Sequence, residues 1–198
     1  MRFKPFILML LIGSSAMAAA PTTPATQIAI FAGGCFWCMQ PSFDNTPGVV
    51  STSVGYTGGS KETANYEAVS SGTTQHVEAI QVTYDPSKVA YEKLLETYWE
   101  NIDPTDAEGQ FADKGTQYHT AIFVQNEVQQ NAAEKSKTEI AKKFAPKPIV
   151  VQILPAKPFY AAEDYHQKYY QKNKTHYTMY KHGSGRAGYL EKTWGKKD

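Results

Sequence analysis

The chain of 198 residues holds two cysteines, and they stand three positions apart in Gly33-Gly34-Cys35-Phe36-Trp37-Cys38. A thiol pair at this spacing can serve three chemistries. As a structural disulfide it would contribute little, because closing a four-residue loop removes ~2 kcal/mol of unfolded-state entropy against about 3 for a fifteen-residue loop. As half of a zinc site it needs two further ligands, and His176 and His182 lie far along the chain without the compact spacing of a finger. As a redox or nucleophilic pair it is well placed. Gly33 and Gly34 let the backbone turn tightly and bring Cys35 to a helix N-terminus, where the dipole and free N–H groups favour a thiolate. A thiol of pKa ~8.5 is only ~3% ionised at neutral pH, whereas one of ~7 is half ionised. The third reading is preferred.

Two kinds of enzyme fit it. A thioredoxin-like oxidoreductase also carries Cys-x-x-Cys after a strand. A disulfide exchanger must dock on a protein, however, and Phe36 and Trp37 are bulky for that purpose. Beside a nucleophile they read better as walls of a pocket for something small and apolar. Glu78 is the other conspicuous residue, since a carboxylate among apolar strand neighbours is costly unless it is partnered or neutral.

The elements that must position these groups follow from periodicity. Gln27 to Ala32 reads as a strand ended by the two glycines, and Cys35 to about Phe43 as a helix kept short by Pro41. Val49 to Tyr56 alternates as a strand. His76 to Tyr84 puts His76, Glu78, Ile80, Val82 and Tyr84 on one face of another. Tyr91, Leu94, Leu95, Tyr98 and Ile102 recur at helical spacing before Asp103-Pro104. Gln117 to Gln125 reads as a strand, and Asn126 with Gln129 as a capping box for a helix to about Phe144. Ile149 to Leu154 reads as a short strand and Ala161 to Lys172 as the last helix. Strands and helices alternate only in part, and several gaps are too short for crossovers. The expected fold is α+β, a mixed β-sheet with packed helices in a two-layer ferredoxin-like sandwich, rather than a doubly wound parallel sheet.

The N-terminus has the order of a secretory signal peptide: Arg2 and Lys4, the apolar run Phe6 to Ile12, then Ala16-Met17-Ala18 as a cleavage site. The run is shorter than the ~20 residues of a membrane span. Residues 1–18 are therefore expected to be removed, with 19–26 a linker and 27–198 a single catalytic domain, exported to the periplasm and free of the membrane after cleavage. Losing Arg2 and Lys4 from 20 basic side chains against 19 acidic ones leaves one net negative charge. No basic cluster suggests a nucleic-acid surface. Lys172, Lys174, Lys181, Arg186, Lys192, Lys196 and Lys197 in the C-terminal tail are diluted by Gly, Tyr and Glu, and read as a solvated end.

From about Ile28 to Lys172 the chain resembles the peptide methionine sulfoxide reductases of the A type, which act on the S-epimer. Gly34-Cys35-Phe36-Trp37 matches the family's nucleophile motif. Four further blocks follow in order: Asn65-Tyr66-Glu67-Ala68-Val69 with Ser71-Gly72 and His76-Val77-Glu78; Tyr98-Trp99-Glu100-Asn101 with Asp103-Pro104; Asp113 to Tyr118; and Phe159-Tyr160 with Ala162 to His166. The resemblance implies that Cys35 attacks the sulfoxide sulfur while Glu78 supplies a proton to its oxygen, helped by the hydroxyls of Tyr66 and Tyr118. Neutral Glu78 near pH 7 requires a shift of ~3 units, or about 4 kcal/mol, within reach of burial. Phe36 and Trp37 would hold the S-methyl group, and Asp113 would help organise the site.

The resemblance also implies a sulfenic acid on Cys35, which a nearby thiol traps. Many family members carry that thiol in the C-terminal tail. Here residues 173–198 contain no cysteine, so Cys38 is the expected resolving thiol. Ser70, Gln75 and Gln40 also depart from the family pattern, at positions where cysteine, glycine and glutamate are frequent. No metal or cofactor is implied. The implied partners are methionine sulfoxide, free or in proteins, and a thioredoxin-like reductant, acting on a monomer. The alternatives are an envelope thiol–disulfide oxidoreductase and, outside enzymes, an exported metal-binding or structural domain.

Overall fold

The computed structural model describes residues 25–195; the expected signal peptide and most of the linker lie outside them. Six strands form one sheet: β1 (Gln27–Gly33), β2 (Val49–Thr57), β3 (Val77–Tyr84), β6 (Thr120–Val124), β7 (Gln152–Pro155) and β8 (Phe159–Ala161), ordered β7-β6-β1-β3-β2-β8. Two short strands, β4 (Gly109–Gln110) and β5 (Asp113–Lys114), pair separately. The helices are α1 (Phe36–Asp44), α2 (Tyr66–Ser70), α3 (Tyr91–Trp99), α4 (Glu127–Phe144), α5 (Tyr169–Lys172), α6 (Lys174–Gly183) and α7 (Arg186–Trp194).

The centre of the sheet, β6-β1-β3-β2, is antiparallel throughout. With α1 joining β1 to β2, and α3 lying between β3 and β6, it is two interleaved βαβ units, the ferredoxin-like plan expected from the sequence. Only β6 and β7 pair in parallel, which makes the sheet mixed. Alternation in β1 sends Ala29 and Phe31 to the helix side, and Ile30 and Ala32 to a smaller cluster on the other face. The main core joins Phe31, Ile80, Val82 and Tyr84 of the sheet to Phe43 of α1 and to Leu94, Leu95 and Tyr98 of α3. No described helix is long and apolar enough to cross a membrane.

Four expected elements differ, and one of them, the strand expected at Ile149–Leu154, begins only at Gln152. The strand expected at Gln117–Gln125 is shorter: Gly115 at φ 122° starts a 3₁₀ turn over Thr116–Tyr118, and only Thr120–Val124 pairs. The helix expected over Ala161–Lys172 is mostly absent. β8 occupies its start, and the side-chain amide of Gln167 then accepts from the Val54 N–H at 2.9 Å and donates to the Val54 carbonyl at 2.8 Å. A side chain thus extends the pairing on the β2 edge, and helix resumes only at Tyr169. The tail, expected as a solvated end, folds into α6 and α7, and Tyr177, Arg186, Ala187 and Leu190 are buried. The capping box is close to expectation. Asn126 accepts from the Gln129 N–H at 3.0 Å, while the Gln129 side chain reaches back to the N–H of Gln125, one residue before the cap.

Candidate active site

The turn Gly33-Gly34 carries the chain from β1 into α1. Gly34 adopts φ 76°, and a Cβ there would lie 2.5 Å from Gln110 Cβ, so both backbone conformation and space demand glycine. Cys35 is the N-cap of α1 and Cys38 lies one turn on; they are 6% and 3% exposed. Glu78 sits on the same strand face as Ile80 and Val82, at the end of β3 beneath the start of α1. Its Oε2 accepts the Phe36 N–H at 3.0 Å. Burial nevertheless dominates, and the Glu78 carboxyl is pushed up to about 8. At neutral pH it is an acid with a proton to give.

A cavity of about 100 Å³ opens over these groups, lined by Cys35, Phe36, Trp37, Tyr66, Glu78, Asp113, Tyr118 and Tyr180. All the sequence candidates except Cys38 are on its wall. A wider cleft of about 440 Å³ lies beside Gln40, Asp164 and Lys168, but its lining holds no thiol. Tyr66 opens α2, whose N-cap Asn65 accepts from the Ala68 N–H. The Tyr66 N–H is in turn held by Glu163 at 2.9 Å, and the same carboxylate takes the Tyr56 hydroxyl at 2.9 Å. Tyr118 arrives from the 3₁₀ turn. Burial, with Glu78 nearby, raises both phenols above their usual value, so both remain hydroxyl donors.

The two thiols titrate together. Burial, the bond to Cys38, and the charges of Cys38, Glu78 and Asp113 push the Cys35 thiol up. The thiolate-favouring helix terminus expected from the sequence is present, but these influences outweigh it, and its first N–H is already taken by Glu78. Cys38 moves down: it accepts from Cys35, burial opposes, and Arg186 adds to the lowering. Within the pair, the thiol that faces the cavity holds its proton the more tightly.

Residues that sequence reasoning missed surround this core. Tyr180 of α6 donates to Asp113 Oδ2 and completes the cavity wall. His166 accepts at Nδ1 from the Trp37 indole N–H at 2.9 Å, and Trp37 stacks on Tyr169 with centroids 3.9 Å apart. The indole is therefore fixed in plane and in rotation. Tyr177 belongs to the same buried cluster as the two cysteines. Tyr180 and Tyr177 are two of thirteen tyrosines in a stretch with no motif, and no sequence signal separates them from the rest.

Residues 27–198 match the family described as peptide methionine sulfoxide reductase, a span that includes the tail. Among curated proteins, the chain is 54% identical over 172 residues to peptide methionine sulfoxide reductase MsrA of Bacillus subtilis, covering 86% of this chain and 97% of that one. It is 50% identical over 174 residues to the MsrA of Listeria monocytogenes, with 87% and 98% covered. Among solved structures, it is similar to reduced Mxr1 of Saccharomyces cerevisiae (TM-score 0.71, 31% identity, covering 75% of this chain and 86% of that one). It is also similar to methionine sulfoxide reductase A of Corynebacterium diphtheriae (TM-score 0.68, 36% identity, 77% of each chain). The yeast protein has also been solved in complex with Trx2.

Proposed function

We infer that this chain, which belongs to the peptide methionine sulfoxide reductase family, reduces methionine S-sulfoxide at Cys35 and closes its cycle through Cys38. It is an enzyme of methionine sulfoxide reduction; the residue roles are our reading of the site. One observation carries them: Cys35 shares the wall of a small cavity with Glu78, Tyr66, Tyr118, Phe36 and Trp37, while Cys38 lies behind it. The S-methyl group rests against Phe36 and Trp37, and the oxygen lies toward Glu78 and the two phenols. Cys35 passes its proton into the thiol pair as Sγ attacks sulfur, and Glu78 protonates the oxygen as charge gathers there. Overall the thiol and the sulfoxide become Cys35 sulfenic acid and methionine. Cys38 then attacks Cys35 Sγ, water leaves, and a disulfide remains. A thioredoxin-like dithiol reduces it, the partner class with which the yeast relative was crystallised.

The test is mass spectrometry of the reduced protein after one equivalent of a methionine sulfoxide. One methionine formed and two free thiols lost is the expected result; unchanged substrate overturns the reading. An envelope disulfide exchanger would leave the sulfoxide intact and reduce a disulfide instead.

We also propose export. The basic, apolar and small-residue order of residues 1–18 motivates it, and it places the enzyme in the periplasm with a reductant on that side of the membrane. The protein recovered from its host should begin at Ala19. An intact N-terminus in the membrane fraction would mean a retained anchor.

A further inference from the structure

The turn and helix that carry the two thiols have an unusual neighbour. Arg186, the first residue of α7, is 1% exposed, yet no carboxylate lies within ion-pair distance of it among the described residues. Its Nη2 donates to the Gly33 carbonyl at 3.0 Å and its Nη1 to the Asn101 carbonyl at 2.6 Å. Nη1 also lies 3.8 Å from the sulfur of Met39, the residue after Cys38. One face of the guanidinium covers the ring of Phe111 at 4.6 Å, and Nε has no acceptor. A buried, unneutralised guanidinium is expensive in a low-dielectric interior. Two neutral carbonyls orient it without cancelling its charge, so the compensating anion must be another group in the site.

We propose that Arg186 is a positioning residue for resolution: it clamps the Gly33 carbonyl of the turn that carries Cys35, and its unneutralised charge holds Cys38 as the attacking thiolate. The proposal rests on Cys38 being the resolving thiol. In that step Cys38 Sγ forms the S–S bond as the S–O bond of the Cys35 sulfenic acid breaks. Glu78, ionised by its donation in the first step, takes from Cys38 the proton that Cys35 passed to the pair and hands it to the leaving hydroxide, which departs as water; Cys38 is oxidised and the sulfenic sulfur reduced. The groups facing Cys38 decide its ionisation. Cys35 donates to it from the N-cap, Asp113 opposes from β5, and Lys181 of α6 and Arg186 of α7 favour the anion. Glu78 and Tyr180 also feel its charge. Arg186 outranks Lys181 among the cations. A tail without cysteine would thus still serve the redox cycle, by charge.

The Cys35→Ser protein, isotopically labelled at cysteine Cβ, retains Cys38 as its one cysteine, and the Cβ chemical shift reports its titration directly. Cys38 should ionise below the ordinary thiol value of ~8.5. Adding Arg186→Gln should raise that value by about one unit or more, whereas Arg186→Lys, which keeps the charge, should move it less. With both cysteines present, Arg186→Gln should slow disulfide formation after a single turnover about tenfold at neutral pH, with recovery as pH rises, the rate change that one unit implies. No movement with Arg186→Gln, or equal movement with Arg186→Lys, overturns the proposal. If neither Arg186 variant folds, Lys181→Gln decides. A low value retained there assigns the charge effect to Arg186, and an ordinary value assigns it to Lys181 and overturns the proposal. The titration tests Arg186 whether or not Cys38 resolves. The resolving role fails separately, if Cys38→Ser turns over with a thioredoxin as fast as wild type.

Discussion

The helix-side core is fully buried and the cover over the cysteines partly so, and they are built from different materials. The core is Phe31, Phe43, Ile80, Leu94, Leu95 and Ile122, with Tyr98 placing its hydroxyl on the Ala32 carbonyl at 2.9 Å. The cover is Tyr169, Tyr177, Tyr180 and Arg186, held by bonds to Asp113, Gly33 and Asn101. Apolar packing removes water there, and the Tyr98 hydroxyl is spent on a backbone carbonyl. Tyrosines and a guanidinium also remove water, while leaving hydroxyls and charge around the two thiols. Exclusion of water stabilises the fold in one region and tunes chemistry in the other. Substitutions in the two should therefore fail in different ways.

The largest expected effects separate the thiols. Cys35→Ser should abolish the first turnover, because a hydroxyl is not ionised near neutral pH and attacks sulfur poorly. Cys38→Ser should release about one methionine per enzyme, the stoichiometry of a single nucleophile, and then stall as the sulfenic acid unless a small thiol is added. Quenched-flow counting of methionine distinguishes them. A dead first turnover in Cys38→Ser would show that the roles of the two thiols are misassigned.

Glu78→Gln comes next, and it should lower activity while raising stability. Single-turnover reduction should fall roughly 10²-fold or more, the scale of a positioned acid. The wild-type rate should itself decline as pH rises past about 8, where the carboxyl loses its proton. Stability runs the other way. The folded-state value lies above the unfolded one of ~4.3, so the folded protein binds the extra proton between them. The stability linked to that proton is present below pH ~4 and is lost as pH rises toward 8. Removing the carboxyl removes that loss, and Glu78→Gln should become more resistant to urea than wild type by roughly 4 kcal/mol at pH 8, with almost no gain at pH 4. Equal curves at both pH values would mean that Glu78 is not held protonated.

The contrast between the two regions also explains what could be read from residues alone. The core elements announce themselves through period: Tyr91, Leu94, Leu95 and Tyr98 on one helix face, and Ile80, Val82 and Tyr84 on one strand face. Part of the cavity wall was legible for the same local reason, because Cys35, Phe36 and Trp37 adjoin and Glu78 interrupts an apolar strand; Tyr66, Tyr118 and Asp113 came from the family resemblance alone, and Tyr180 was not read. The tail was not. Its residues are diluted by glycine, lysine and exposed polar groups, and what buries Arg186 is a pair of carbonyls 85 and 153 positions away. Gln167 misled in a similar way, since a side chain that mimics a strand partner leaves no periodic trace. Long-range polar contacts replace periodicity there, and a one-dimensional pattern does not record them.

The smallest expected effect is the one that sharpens the comparison most. Leu94→Ala, at a fully buried core position, removes methyl groups that nothing can replace and should cost about 2–5 kcal/mol in urea denaturation. Its single-turnover rate under folding conditions should match wild type, because no group of the cavity touches the change. Tyr180→Phe keeps the ring that covers the thiols and deletes one hydroxyl. The stability cost should be only about 1 kcal/mol, the net worth of a hydrogen bond. Asp113 loses the donor that now offsets its burial, and its carboxyl should move further up. Reduction should then slow on the order of tenfold, the rate equivalent of about 1.4 kcal/mol. The slowing should be accompanied by an altered pH profile, which lost packing would not produce. A Tyr180→Phe enzyme that loses stability as Leu94→Ala does, with reduction unimpaired, would mean that the cover is ordinary core after all.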